Sequence, residues 1–432
     1  MRAFALIRPC CVRLTAMSET DSATAVAGDA AQERHASWLE LFFDLIVVAG
    51  VAQIAHRLRD EPTLGNGAAC AAMFYAMWSV WTAFSAYANV AGDRTRRRSL
   101  LAAMLGIGVM VASVPGTLPE LLPPGAEFVH GRTIAFVVAF VACRSLAGGA
   151  TRQAGLVIPS WPAAQGVMGA PWIVSLFVAP EVRYWLWGAG IVLDILVSIR
   201  GGDPESTERM TVFVERQQAK EDRSLGRRLT NRRRSRKPAT ITVAELEREH
   251  LEERLSLFVI IVLGEAIAQI VAAATQVAWA RTTIIALLAG FLLLVGIWQL
   301  TAQYGFSPAP GSADAPMRPW AALPAHFVVT AGIAGVAAGL GSIALRPDGA
   351  SQTGERWYLC GGLALYILAG VLTGLGRSVT RWWTFGWALP CAAAAVALGL
   401  FGGGLPGWVI TVLTAVIIGW QVAYEPIHAR VG

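Results

Sequence analysis

The sequence predicts an all-α fold, a polytopic transmembrane helix bundle of about twelve helices. Three observations carry this expectation. Hydrophobic residues make up 55% of the 432 positions and charged residues only 15%, against about 25% charged in ordinary soluble domains; mean hydropathy is +0.52. Apolar runs of about 20 residues, the length a helix needs to cross the hydrocarbon core, recur twelve times. The basic residues between those runs gather in alternate loops, as the positive-inside rule requires.

The elements follow in chain order. The first 17 residues, MRAFALIRPCCVRLTAM, lack the continuous apolar core of a signal peptide. Residues 1–36 are read as a disordered cytoplasmic tail, with Met17 as an alternative start. Six apolar runs lie near 38–56, 68–90, 100–118, 129–147, 161–179 and 182–200. Six more lie near 251–274, 281–303, 320–344, 356–376, 382–403 and 406–424. Pro159, Pro162 and Pro171 interrupt the fifth, so a broken or re-entrant segment there, leaving eleven crossings, is the alternative.

Charge placement tests this count. With a cytoplasmic N-terminus, only Arg57, Arg59, Arg132, Arg183, Arg281, Arg346 and Arg356 face outward, 7 of 35 basic residues. Trp38, Trp279, Trp320, Trp357 and Trp382 fall near helix ends, where an aromatic belt belongs. The expected location is the bacterial inner membrane, with both termini cytoplasmic.

Residues 201–249 form the one sizeable polar segment, a basic cytoplasmic loop. Its 225–237 stretch holds seven basic residues and no acidic one. It reads as a topology determinant in contact with anionic lipid headgroups. No aromatic residue interleaves it, which argues against nucleic acid as a partner. The following TVAELEREHLEERLSLF reads as a helix entering the membrane, with Thr242 and Glu245 at capping-box spacing.

A shift of 216 residues lays LELF at 39–42 over LSLF at 255–258, and AQI at 52–54 over AQI at 268–270. This suggests a parallel 6+6 repeat, with a first half at 37–200 and a second at 250–426. An even helix number per half gives both the same orientation.

Polar groups inside apolar runs are the functional clues, because a charge at mid-bilayer costs roughly 2.5–3.5 kcal/mol. In the first helix Glu40 and Asp44 are four residues apart and share a face; such a pair suits proton or cation binding. Gln53 and His56 share another face. The competing reading sets Glu40 in the headgroup zone and pairs Asp44 with a structural arginine. In the seventh helix Arg254, Glu265 and Gln269 lie on one stripe. Arg254 and Glu265 are about 16 Å apart along the axis, too far to pair. Asp194 sits inside GIVLDILVSI, and Arg144 is a cation that could neutralise one of these carboxylates. His326 reads as a satisfied interior histidine.

The six cysteines, Cys10, Cys11, Cys70, Cys143, Cys360 and Cys391, form no CxxC and no Cys/His cluster. No metal, disulfide framework or cofactor is expected. No GxSxG, HExxH or phosphate-binding glycine loop is present in the sequence, so the chain leans away from an enzyme.

Two long motifs carry a family resemblance. SWLELFFDLIVVAGVAQIAHRL at 37–58 and HLEERLSLFVIIVLGEAIAQI at 250–270 resemble the two signatures of the bacterial low temperature requirement protein A (LtrA) family. LPAHFVVTAGIAGVAAGL at 323–340 is similar to a third, looser block. Leu255 and Ser256 stand where the second signature usually has Phe-Gly. The resemblance spans about 35–424 and highlights Glu40, Asp44, Gln53, His56, His250, Glu253, Arg254 and Glu265. It implies a multi-pass membrane protein, named for growth at low temperature, and implies no specific chemistry.

The sequence therefore leads to a secondary transporter or permease for an unknown small solute or ion. Glu40, Asp44, Gln53, His56, Asp194, Arg254, Glu265 and Gln269 are its candidate binding residues. A cation channel is the alternative. A membrane-embedded enzyme or lipid-linked cold-stress factor is a further one.

Overall fold

The computed structural model describes residues 38–117, 128–158, 169–201, 242–307 apart from 245, 319–375 and 383–431, with short pieces between 208 and 216. The described residues form one compact unit. The tail and most of the basic loop, including 225–237, lie outside the described residues.

Among the described residues twelve α-helices are seen. The first six are α1 (Trp38–Asp60), α2 (Leu64–Ala91), α3 (Arg97–Ser113), α4 (Phe128–Gln153), α5 (Ala170–Val174) and α6 (Pro180–Gly201). Then come α7 (Arg248–Ala274), α8 (Arg281–Tyr304), α9 (Pro319–Leu345), α10 (Thr353–Leu375), α11 (Leu389–Phe401) and α12 (Gly407–Val431). Among the described residues nine helical stretches are long and apolar enough to cross a membrane. They are α1 to α4, α7 to α10 and the Thr384–Gly404 stretch that contains α11. α6 and α12, of 22 and 25 residues, are further long helices.

Polarity is distributed inside out. Leu105, Leu288, Leu372 and Val416 are exposed, whereas Asp44, Asp194, Arg144 and Arg254 are buried. A chain in water would reverse this; a chain in lipid must bury its charges against one another. The protein is therefore a multi-pass membrane protein whose apolar flanks contact the bilayer.

Local signals set the helix ends. Thr63 accepts a hydrogen bond from the Asn66 N–H to start α2. Gly92, at φ 57°, stops it, and Gly305, at φ 83°, stops α8. α2 and α9 are the most enclosed spans, each 78% buried. Both touch α1 and α7, so these four helices form the centre.

The predicted fifth helix lies partly outside the described residues, and its described part fits the broken segment given as the alternative. Of 161–179, the described part begins at 169 and holds only five-residue α5 and a 3₁₀ turn, Ser175–Phe177. Pro171 sits in the first turn of α5, where its missing N–H removes no helical hydrogen bond. Direction of travel is nonetheless clear. Trp187 of α6 stacks on Phe136 of α4, and Asp194 pairs with Arg144 about two turns further along both. α6 thus runs parallel to α4, and Gln153 and Pro180 lie at opposite ends of the bundle.

The end at which α1 and α7 begin is tied by polar contacts from several loops. Leu156–Val157 (β1) pairs in parallel with Thr242–Val243 (β2). The Asn89 side chain accepts from the Glu247 N–H (2.8 Å) and donates to the Glu247 carbonyl (2.9 Å). Arg96 donates to Gln153.

α9 and α10 make the closest approach through glycine. A Cβ at Gly332 would stand 2.7 Å from the Gly362 carbonyl oxygen and 3.0 Å from the Tyr366 nitrogen. Those are backbone atoms that cannot rotate away. Gly332→Ala is expected to lower stability by about 1–3 kcal/mol, read as a drop in thermal midpoint in detergent. An unchanged midpoint would mean the two helices are not in backbone contact.

Candidate functional site

The site lies where α1, α2, α7 and α9 meet. α1 and α7 run in the same direction, cross-linked twice at a constant sequence separation of 210 residues. The near cross-link is Arg254 to Asp44, and the far one is Arg59 to Gln269. They are fifteen residues apart on each helix, about 22 Å.

At the near cross-link the Arg254 guanidinium donates from Nη2 to Asp44 Oδ1 at 2.5 Å, and Nη1 lies 3.6 Å from Glu40 Oε1. Trp81 of α2 donates its indole N–H to the same Asp44 oxygen at 2.6 Å. All the charged groups are dry, with Arg254 1%, Asp44 0% and Glu40 3% exposed. Arg254 also lies over the Trp81 ring, 5.8 Å from its centroid, a cation–π contact. Asp44 Oδ2 is different. It is buried and meets no hydrogen-bond partner among the described residues.

His326 of α9 closes the back of this site. Trp78 donates to its Nδ1 at 2.9 Å, and Nε2 lies 3.1 Å from the Leu255 carbonyl. An indole N–H only donates and a carbonyl only accepts, so Nε2 carries the proton and the ring is a neutral wedge. It stacks against Trp81 and meets Phe258 edge-on. The expectation of a satisfied interior histidine fits this geometry.

A second ion pair lies in the first half. Arg144 of α4 donates to Asp194 Oδ1 at 2.8 Å, and Tyr75 of α2 donates to Oδ2 at 3.0 Å. Arg144 therefore neutralises Asp194, a choice the sequence left open.

At the far end the remaining residues gather. Gln269 donates to Glu265 Oε1 at 2.7 Å and accepts from Arg59 at 3.3 Å, so it stands between a cation and a carboxylate. Arg59 also meets the His56 ring at 2.9 Å. His56 is exposed, and Gln53, three residues before it, is half-buried.

The eight sequence-predicted residues thus form two clusters and leave two residues outside them. Glu40, Asp44 and Arg254 come together, and so do His56, Glu265 and Gln269. Asp194 joins neither, and Gln53 forms no hydrogen bond among the described residues. Sequence reasoning missed Tyr75, Trp78 and Trp81. Each donates to an acceptor on a different helix, and their spacing of three residues on apolar α2 is the signal that could have found them. Among the described residues no group of three His, Cys, Asp or Glu side chains could hold a metal.

A family model described as bacterial low temperature requirement A protein (LtrA) matches residues 35–419. The chain is also similar to a Rhizobium meliloti (strain 1021) protein described as uncharacterized protein RA0937, at 28% identity over 259 residues. That match covers 54% of this chain and 49% of the relative, so the chain matches only about half of that protein's length. No solved structure matches.

Proposed function

The chain belongs to the bacterial low temperature requirement A family, and from that premise we propose a secondary transporter or permease in which Asp44 binds a coupling proton or small cation. The observation that carries this reading is the divided carboxylate. Oδ1 takes both the Arg254 and Trp81 bonds, and Oδ2 is buried and unmatched among the described residues. An unmatched buried oxygen is costly. Uptake of a proton or cation there relieves that cost, and a ligand that prefers one conformation shifts the balance between two. Asp194 ranks below Asp44 because both of its oxygens are occupied. Glu265 is a further coupling group, half-buried at the far end.

A cation channel fits less well. Between the two polar clusters the helices present Val47 and Val51 on α1 and Phe258 and Val262 on α7, all fully buried. Such packing favours gated turnover over a continuous conducting path.

The same reading sets the chain in the inner membrane with cytoplasmic termini, supported by the sidedness of its basic residues. It divides the chain into two six-helix halves, 37–200 and 250–426. The packing order supports that division: α1 packs on α2 and α3 and α3 on α4, while α7 packs on α8 and α9 and α9 on α10. The basic 225–237 run would then meet anionic headgroups.

The test uses full-length protein in liposomes carrying an internal pH dye, under imposed sodium or potassium gradients. Wild type is expected to move protons in a saturable, gradient-dependent way. Asp44→Asn should slow this by about ten-fold or more, while the exposed Asp348→Asn should not. No wild-type flux with either cation counts against transport. Unitary conductance steps in planar bilayers would replace this reading with the channel.

A further inference from the structure

The two cross-links between α1 and α7 differ in kind. The near one is a dry ion pair. The far one is a single bond from half-buried Arg59 to a neutral amide, with exposed His56 beside it. One turn from that amide waits Glu265, held by Gln269 rather than by Arg59. Midway between the cross-links Val47 and Val51 of α1 and Phe258 and Val262 of α7 are fully buried. α1 and α7 can therefore separate at one end only by breaking one cross-link, and the far cross-link has a stronger pairing in reserve.

We infer that the α1–α7 seam is the moving interface of the transporter proposed above, with Arg254 bolting its near end and Arg59 its far end. In the present conformation the near bolt is shut and the far bolt is loose. When the near bolt releases, the helices pivot on the apolar middle and Arg59 passes from Gln269 to Glu265, forming an ion pair that shuts the far end. Gln269 is the intermediate holder that keeps cation and carboxylate apart until then. Gly341 of α9 lies buried against this exchange, since a Cβ there would meet Arg59 Cδ and Gln269 Cβ at 3.7 Å and the Gln269 carbonyl oxygen at 3.9 Å.

The inference rests on the transport reading but is tested without any transported solute. Two reporter cysteines are introduced, one at a time, into the full chain with its six native cysteines replaced by alanine. Gly341→Cys reports the far bolt. Ser85→Cys, one turn beyond Trp81 toward the near end and 2% exposed, reports the near bolt. Reaction rates with a water-soluble maleimide are measured in detergent.

The parent should label faster at Gly341→Cys than at Ser85→Cys. Asp44→Asn weakens the near bolt and should raise the Ser85→Cys rate about ten-fold while lowering the Gly341→Cys rate. Gln269→Glu strengthens the far bolt and should move both rates in the same two directions; it serves if Asp44→Asn does not fold. Opposed changes support the gate. Rates that rise together, or any other combination, overturn it. Loss of flux alone removes transport and not the gate; failure of the labels removes the gate and not transport.

Discussion

Arg254→Met is expected to destabilise the protein by about 3–5 kcal/mol, the cost of leaving a buried charge without its partner. The substitution leaves Asp44 without its cation and takes away the near contact of Glu40. Two carboxylates one turn apart on α1 would then face each other with little exposure. The double variant Asp44→Leu/Arg254→Met should regain much of the loss, because buried pairs replaced by apolar side chains are often near neutral. Thermal midpoints in one detergent give the comparison. The double variant also separates scaffold from mechanism: it should be stable and carry no coupled flux. A single variant within about 0.5 kcal/mol of wild type would mean the pair is not dry.

Arg144→Met should cost a comparable amount, about 3–5 kcal/mol, by isolating Asp194 among α2, α4 and α6. Here the paired replacement Arg144→Met/Asp194→Leu should recover a similar share, because the Tyr75 hydroxyl loses its acceptor at about 1 kcal/mol, as the Trp81 indole N–H does in the first pair. Adding Tyr75→Phe should restore that increment. If the triple variant melts below the double, Tyr75 has a partner other than Asp194. The two arginine variants together give one more reading. Distant independent sites add within about 0.5 kcal/mol. A larger departure would show that α2, which donates to Asp194 through Tyr75 and to Asp44 through Trp81, carries strain between them.

Much of this was legible in the sequence because lipid removes ambiguity. A charge inside an apolar run is conspicuous, and Glu40, Asp44, Asp194, Arg254, Glu265 and Gln269 all stood out on that ground. Parallel travel of the first and seventh helices followed from counting crossings. Pairing was not legible. Asp44 and Arg254 are 210 residues apart, and nothing in either run says which cation meets which carboxylate; Arg144 could as well have been assigned to Asp44. Tyr75, Trp78 and Trp81 escaped because aromatic side chains in an apolar helix read as filling, and their single N–H or O–H groups do not disturb a hydropathy pattern. The fifth segment was legible only as a pair of alternatives, a helix or a broken stretch. Prolines broke the helical period, and periodicity is the signal by which helices are read.

The separation of Asp44 from Arg254 has a consequence for how the chain is made. Translation proceeds at about 5–20 residues per second, so α1 emerges some 10–40 s before the arginine that neutralises it is synthesised. Asp194 has no such delay, since Arg144 precedes it by 50 residues. During that interval α1 carries two carboxylates with no Arg254 to receive them. Full entry into hydrocarbon would cost it several kcal/mol. Unless its carboxylates take up protons, the first helix is expected to wait at the insertion machinery or against α2 until α7 arrives. Its final depth in the bilayer would then be set from the middle of the chain.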